Sequence, residues 1–188
     1  MRALILSYAE KSTALLADML RSTSVPHIVT SSSCAHARRL VLEQHFDVVV
    51  INAPLPDETG EDFARHVVAH GTTQVILVVK SEYLDAVSAA CENDGIITLA
   101  KPIQKRDFWA ALTLAKAVHT RMQRMQSENT KLKQRIEDIR IVDRAKCLLI
   151  SHLSMSEQEA HRSIEKQAMD MRSTRREIAE EILRTYEN

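Results

Sequence analysis

Residues 46–60 read FDVVVINAPLPDETG, and this stretch decides the fold of the 188-residue chain. Its apolar run, Val48–Ile51, is continuous rather than alternating, which is typical of a strand covered on both faces of a parallel sheet. The prolines, acidic residues and glycine that follow indicate a turn, and an amphipathic pattern at Glu61–His70 indicates a helix. The stretch therefore predicts one strand–loop–helix unit of an α/β domain.

The same alternation of short apolar runs and helical patterns fills the first hundred residues. Strands are predicted at Ala3–Leu6, His27–Thr30, Val48–Ile51, Val75–Val79 and Ile96–Leu99. Helices are predicted at Lys11–Arg21, Ala35–Gln44, Glu61–His70 and Glu82–Glu92, with another starting near Lys105. Five such units in order predict a doubly wound, five-stranded parallel sheet.

Composition excludes several classes of protein. Lysine plus arginine number 25 and aspartate plus glutamate also 25, so no bulk signal for binding a polyanion is present. The three cysteines are scattered without CxxC spacing, which predicts a reducing compartment and neither a disulfide framework nor a metal site. No apolar stretch approaches about 18 residues, so we expect a cytoplasmic protein with no membrane partner.

The second half of the chain predicts a coiled coil and then a helical module. No glycine or proline follows Pro102, and a heptad pattern runs from 111 to 140. Its d positions are Ala111, Val118, Met125, Leu132 and Ile139, and its a positions are Ala115, Met122, Asn129 and Ile136. One polar residue at an a position favours a parallel, in-register homodimer. The alternative is a single amphipathic helix packed on its own domain.

The last 45 residues divide into three short helices. The first continues through Asp143–Leu153, and capping boxes at Ser156–Glu159 and Thr174–Glu177 predict the starts of the other two. The predicted domains are 1–107, a coiled-coil dimerisation helix at 108–141, and an all-α module at 142–188.

Residues 1–115 resemble the receiver domains of response regulators. The resemblance rests on residues 46–60 and on Ala100-Lys101-Pro102. Receivers place a phospho-accepting aspartate at the end of the third strand, where this chain has Asn52, and a hydroxyl at the end of the fourth, where it has Val79. Of the acidic residues that hold Mg²⁺ in that family only Glu10 is present, and it is displaced into the loop. These departures predict a degenerate site that neither binds a metal nor accepts a phosphoryl group.

Lys101 is the one part of that site which survives unchanged. We expect it to hydrogen-bond Asn52 or nearby carbonyls and to hold the loop; the alternative is that it senses an anion. Pro102 is expected to be cis, as in receivers.

The C-terminal residues resemble the ANTAR domain of the amidase and nitrate regulators. The matching segments are DRAKCLLI at 143–150, LSMSEQEA at 153–160, QAMD at 167–170, EIA at 177–179, and Leu183. Cys147 replaces the family's glycine, and His161 replaces its aromatic residue. The resemblance implies a transcription antitermination regulator, which binds paired hairpins in nascent leader RNA as a dimer.

RNA-binding candidates lie at two places in this module. They are Arg144, Ala145, Lys146, Arg172, Arg175 and Arg176. Arginine guanidinium groups bind RNA loops by stacking on bases and by contacting phosphates. Ala145 is expected to let the RNA approach the protein backbone closely. The other interpretation is that the charges are solvated surface groups.

Two other functions stay open: a partner-binding regulatory scaffold and a DNA-binding response regulator. A ligand-sensing regulatory protein is the expected partner if phosphorylation does not control the chain; constitutive activity is the alternative. His66 and His70 have the spacing of two metal ligands but no third ligand, and we expect a solvated helix face. No catalytic motif or cofactor site is recognised, so we do not expect an enzyme.

Overall fold

The computed structural model describes residues 1–23, 25–69 and 71–186. The chain forms two compact units, Met1–Arg124 and Met125–Asn188. No helix among the described residues has the length and apolar character needed to cross a bilayer.

The first unit is a five-stranded parallel sheet with the strand order β2-β1-β3-β4-β5. The strands are β1 (Arg2–Leu6), β2 (His27–Ser31), β3 (Val48–Asn52), β4 (Gln74–Lys80) and β5 (Ile97–Lys101). This confirms the predicted doubly wound sheet. Each strand ends within two residues of the predicted boundary, and β5 includes Lys101.

The helices of this unit are α1 (Glu10–Arg21), α2 (Cys34–Glu43), α3 (Glu61–Ala69), α4 (Leu84–Cys91) and the start of α5 (Lys105–Leu153). The predicted helix at Glu82–Glu92 is instead α4 flanked by two 3₁₀ turns. The second turn ends at Gly95, whose φ of 70° favours glycine. His70, the predicted end of α3, lies outside the described residues.

Both faces of the sheet are covered, as the continuous apolar run of β3 predicted. Val49 and Ile51 pack with Phe63 in the core on one side. Val48 and Val50 pack on the other side with the core that α1 and the start of α5 complete. Alternate side chains of one strand therefore enter two separate cores.

The first turns of α5 belong to the core of the first unit. Phe108, Ala111, Leu112 and Ala115 are at most 5% exposed and pack against the sheet. Including Ala111 and Ala115 in the coiled-coil seam was therefore wrong, because these positions are already buried within their own unit. From 120 to 137 every residue of α5 is exposed in the single chain.

The second unit is built from the end of α5, α6 (Glu157–Asp170) and α7 (Arg175–Tyr186). Both predicted capping boxes are present. Ser156 accepts a hydrogen bond from the Glu159 amide, and Glu159 accepts one from the Ser156 amide. Thr174 and Glu177 make the same reciprocal pair at the start of α7. Alanine and branched aliphatic residues form the core of this unit: Ala145, Leu149, Ala160, Ile164, Ala168, Ile178, Ala179 and Ile182.

Candidate functional site

The carboxyl end of β3 carries a buried amide. Asn52 is 8% exposed, and its Nδ2 donates a hydrogen bond of 3.0 Å to Oγ of Ser7, which is 4% exposed. Ser7 follows β1, whose Leu6 pairs with Ile51, so parallel strands bring the two side chains together. The pair replaces the cluster of carboxylates that a cation would need with two neutral groups that bond to each other.

Lys101 lies beside this pair at the end of β5. Its ammonium donates to the carbonyl oxygen of Ala53, the residue after Asn52. Burial, and then the positive charge of Lys80, lower the pKa of Lys101. The Ser81 hydroxyl donates to the Lys101 carbonyl, and Val79 is 5% exposed within the core. Lys101 and Ser81 are therefore both hydrogen-bonded to the backbone. The peptide bond between Lys101 and Pro102 is cis, as predicted.

The acidic residues near this edge do not surround Asn52. Glu10 is exposed as the first residue of α1. Asp57 caps α2, accepting hydrogen bonds from the amides of Cys34 and Ala35 at 3.2 and 2.9 Å. The Ala35 bond is the main cause of its lowered pKa.

Glu58 is likewise engaged with another group, because it forms a two-oxygen ion pair with Arg38 at 2.8 and 2.9 Å. Among the described residues, one cluster of possible metal ligands contains these acids, Cys34 with Asp57 and Glu58, but both carboxylates are already held by the contacts given above. Mg²⁺ requires several oxygen ligands with negative charge, so the residues at this edge do not fit it.

In the second unit, three of the proposed RNA contacts line one groove. Lys146, Arg175 and Arg176 surround a cavity of about 420 Å³ between α5, α6 and α7. The remaining lining residues are Arg135, Asp138, Ile139, Val142, Asp143, His161 and Thr174. The lining includes four cationic side chains and two carboxylates, and three further carboxylates, Glu157, Glu165 and Glu180, pair with those cations.

Each of these three cations also forms an ion pair inside the protein. Arg176 binds Asp138 at 2.7 Å and Glu180 at 2.8 Å, and these bonds raise its pKa. Lys146 contacts Asp143 at 2.8 Å and Glu157 at 3.4 Å, which raises its pKa.

The third cation, Arg175, contacts Glu165 at 3.2 Å. Because Asp138 lies on α5 and Arg176 on α7, the Arg176 pair also connects two helices of the unit. Lys146 and Arg176 are therefore held by two ion pairs each, whereas Arg175 has one, which is exposed.

Arg172 and Arg144 lie outside this groove. Arg172 is exposed, has a φ of 52°, and lines a second concavity that it shares with Arg175. Considering the described residues only, its guanidinium has no ion pair. Arg144 lies on another face of α5, near Arg140 and Cys147. This is expected, because Arg144 and Lys146 are two positions apart and residues at that spacing do not share a helix face.

Ala145 is not part of any surface. It is 0% exposed and packs in the core of the second unit. The expectation that it lets RNA approach the backbone is therefore corrected: its small side chain lets α5 pack closely against the other two helices.

The proposed seam residues of α5 are largely exposed in the single chain. Met125, Leu132, Ile136 and Ile139 are between 52% and 59% exposed, and Met122 is 38% exposed. Val118 is half-buried and Asn129 is exposed. A stripe of apolar side chains along one helix face requires a covering surface.

No sequence pattern indicated that Arg135, Asp138 and His161 would line the groove. The capping box at Thr174 predicted where α7 starts, but no sequence signal pairs Arg176 with Asp138, 38 positions earlier.

The chain belongs to the response regulator receiver domain family, which matches residues 8–113. It also carries an ANTAR domain, which matches residues 130–183. The chain is thus a receiver–ANTAR regulator, and the resemblance inferred from the sequence is confirmed.

Two curated relatives align with most of this chain. The transcriptional regulatory protein PdtaR of Mycobacterium tuberculosis is 27% identical over 90% of this chain and 83% of its own length. The aliphatic amidase regulator of Pseudomonas aeruginosa is 27% identical over 74% of each chain.

Solved structures similar to the first unit share its fold. A signal receiver domain of an HD domain-containing protein from Pseudomonas fluorescens is 23% identical, with a TM-score of 0.56 over 65% of this chain and 92% of its own. A response regulator receiver domain from Clostridium thermocellum is 20% identical, with a TM-score of 0.57 over 66% and 98%.

Proposed function

We propose that this chain is an RNA-binding transcription antitermination regulator. It acts as a dimer on paired hairpins of a leader transcript. The observation that carries the proposal is the ANTAR match over a unit in which Lys146, Arg175 and Arg176 line one groove. The similarity to an aliphatic amidase regulator and to a transcriptional regulatory protein supports control of transcription.

RNA contacts are assigned to cations that are exposed or can exchange their partners. Arg172 and Arg175 meet this condition best, because Arg172 is exposed and Arg175 pairs with one half-exposed carboxylate. An exposed ion pair contributes little stability, so a phosphate can replace Glu165 as the partner of Arg175 at low cost. Lys146 and Arg176 are more tightly paired and set the shape and charge of the groove.

Dimerisation is assigned to α5 beyond Val118. The apolar stripe contains Met122, Met125, Leu132, Ile136 and Ile139, with Asn129 as the one polar a residue. A second copy in parallel register would cover the stripe and pair the two asparagines. Two RNA-binding units on one dimer suit a ligand with two hairpins, because the second contact is then intramolecular.

The receiver unit is proposed to be a pseudo-receiver. Asn52 is neutral and hydrogen-bonded to Ser7, so it offers no carboxylate for an acyl phosphate. Control then depends on something other than phosphorylation. We assign it to a ligand-sensing regulatory protein that binds one arrangement of the dimer better than another.

Gel-shift titrations with three labelled nucleic acids test this function. They are a two-hairpin leader RNA from the protein's own genomic neighbourhood, the same RNA with altered loops, and duplex DNA of equal length. Tight binding to the first alone is expected, with an affinity that falls as salt rises. Preference for the duplex would favour a DNA-binding regulator, and no binding by a dimeric protein would favour a scaffold.

Substitutions in the module test the assigned cations. We expect Arg172→Asn with Arg175→Ala to weaken RNA binding at least about fivefold, because the loss of one good contact costs about 1–3 kcal/mol and about 1.4 kcal/mol is tenfold. Asparagine tolerates the left-handed backbone at 172. Arg162→Ala is the matched control, because Arg162 is exposed on α6 and lines neither concavity. Equal affinities for the double variant and the control would refute the assignment.

A further inference from the structure

Two histidines and an aspartate meet at the amino-terminal edge of the sheet, at the opposite end of β3 from Asn52. His45 and Asp47 precede β3, and His119 lies on α5. One nitrogen of each ring and one Asp47 oxygen lie within 4.8 Å of one another. We propose that these three side chains form a binding site for a divalent transition-metal ion such as Zn²⁺.

The spacing of the ligand atoms matches a small tetrahedral ion. Nε2 of His119 lies 3.0 Å from Oδ1 of Asp47, and Nε2 of His45 lies 3.7 Å from the same oxygen. Zinc bonds to nitrogen and oxygen of about 2.0–2.2 Å place neighbouring tetrahedral ligands about 3.3 Å apart. The two distances lie on either side of this value, and all three ligand atoms lie within 4.8 Å of one another, so the proposed site requires the exposed His45 ring to rotate toward the ion.

Hydrogen bonds orient two of the three ligands from behind. The Thr72 carbonyl oxygen lies 2.8 Å from Nδ1 of His119, so a proton on Nδ1 leaves the Nε2 lone pair facing Asp47. The Arg2 amide donates to Oδ2 of Asp47 at 2.6 Å, which leaves Oδ1 facing the histidines. Such support from a carbonyl and a backbone amide is what metal ligands commonly have.

The ligand set and the exposure indicate the kind of ion. Two imidazoles and one carboxylate suit Zn²⁺ and its neighbours in the transition series, whereas Mg²⁺ and Ca²⁺ prefer oxygen ligands alone. The side chain of His119 is 9% exposed and that of His45 is 60% exposed. An ion can therefore enter from the His45 side, where solvent supplies the remaining ligand.

A bound ion would fix the start of the exposed part of α5 to the sheet. His119 lies one turn beyond Ala115, which is buried in the core, and directly after Val118. The ion would join this turn to the segment between α2 and β3. This site is independent of RNA binding by the second unit.

Isothermal titration calorimetry of the chelator-treated full chain with Zn²⁺ alone tests the site. About one ion per chain is expected, and His45→Gln should lower the affinity at least tenfold, since even indirect contacts to a metal are worth 10–100-fold. His45 is exposed, so this variant should keep the native fold, which circular dichroism checks.

The matched control is His161→Gln, because His161 also lies beside a carboxylate, 3.3 Å from Glu165, on the other unit. This variant should bind Zn²⁺ as the native chain does. Co²⁺ gives a second readout, with a visible absorption band expected in the native protein and the control and absent in His45→Gln. Absence of saturable Zn²⁺ binding, or equal affinity in the His45 variant, would overturn the proposal and leave the three residues as an ion pair.

Discussion

Replacing Leu132 with alanine tests whether the exposed stripe of α5 is a dimer interface. Leu132 is 58% exposed in the single chain and occupies a d position. Complete burial of a leucine is worth about 1.5–3 kcal/mol, so covering its exposed share is worth about 0.9–1.7 kcal/mol. Both chains of a symmetric dimer lose this contact, so the loss is about 1.7–3.5 kcal/mol per dimer, or about 15- to 300-fold in the dissociation constant.

Alanine keeps the β-carbon of leucine, so we expect a rise in the dissociation constant within the lower half of this fold-change range. Sedimentation equilibrium over nanomolar to micromolar concentrations measures the constant. Lys131→Ala is the matched control, because it truncates a long side chain at the neighbouring outward c position of the same exposed turn. A monomeric native chain at micromolar concentration, or equal constants for the two variants, would refute the coiled-coil assignment.

Three further predictions concern the two units separately. Ser7→Ala should lower the free energy of unfolding by about 1–3 kcal/mol, because it leaves the buried Asn52 amide without its acceptor; unchanged denaturant stability would contradict this. Arg176→Ala should lower the thermal midpoint, because it removes two ion pairs of the second unit, whereas Arg172→Asn should not, and differential scanning fluorimetry compares them. Hydrogen bonds from the hydroxyl and backbone groups before α7 lower the pKa of Glu177 to about 2. The ionised Glu177 carboxylate therefore stabilises the folded unit fully above the unfolded-state pKa near 4.5, and this stabilisation is lost as pH falls toward 2. Glu177→Gln should flatten the pH dependence of helicity between these two values. An unchanged pH profile would count against the capping role.

The receiver fold could be predicted because its signals are local. The run Val48–Ile51 is apolar at every position, and the structure places alternate residues of it in two cores. The capping box at Ser156 likewise fixes the start of α6 within four residues of sequence. Each of these patterns depends on neighbours in the chain, so the sequence alone contains it.

The rest depends on contacts between distant segments. A heptad at Ala111 and Ala115 has the same spacing as a helix face packed on a sheet, so periodicity cannot distinguish the two. Burial of Ala145 follows from three helices packing together. The cluster at Asp47 joins residues that are about 70 positions apart in the chain, and it had no signal in any single motif.

A transcription assay on a leader template tests whether the protein is an antiterminator. The template carries the leader with its two hairpins ahead of a terminator, and the readout is the fraction of full-length transcript with and without the protein. The protein should raise this fraction, and altered hairpin loops should abolish the increase. An unchanged fraction under conditions where the protein is dimeric and binds the leader RNA would contradict the claim.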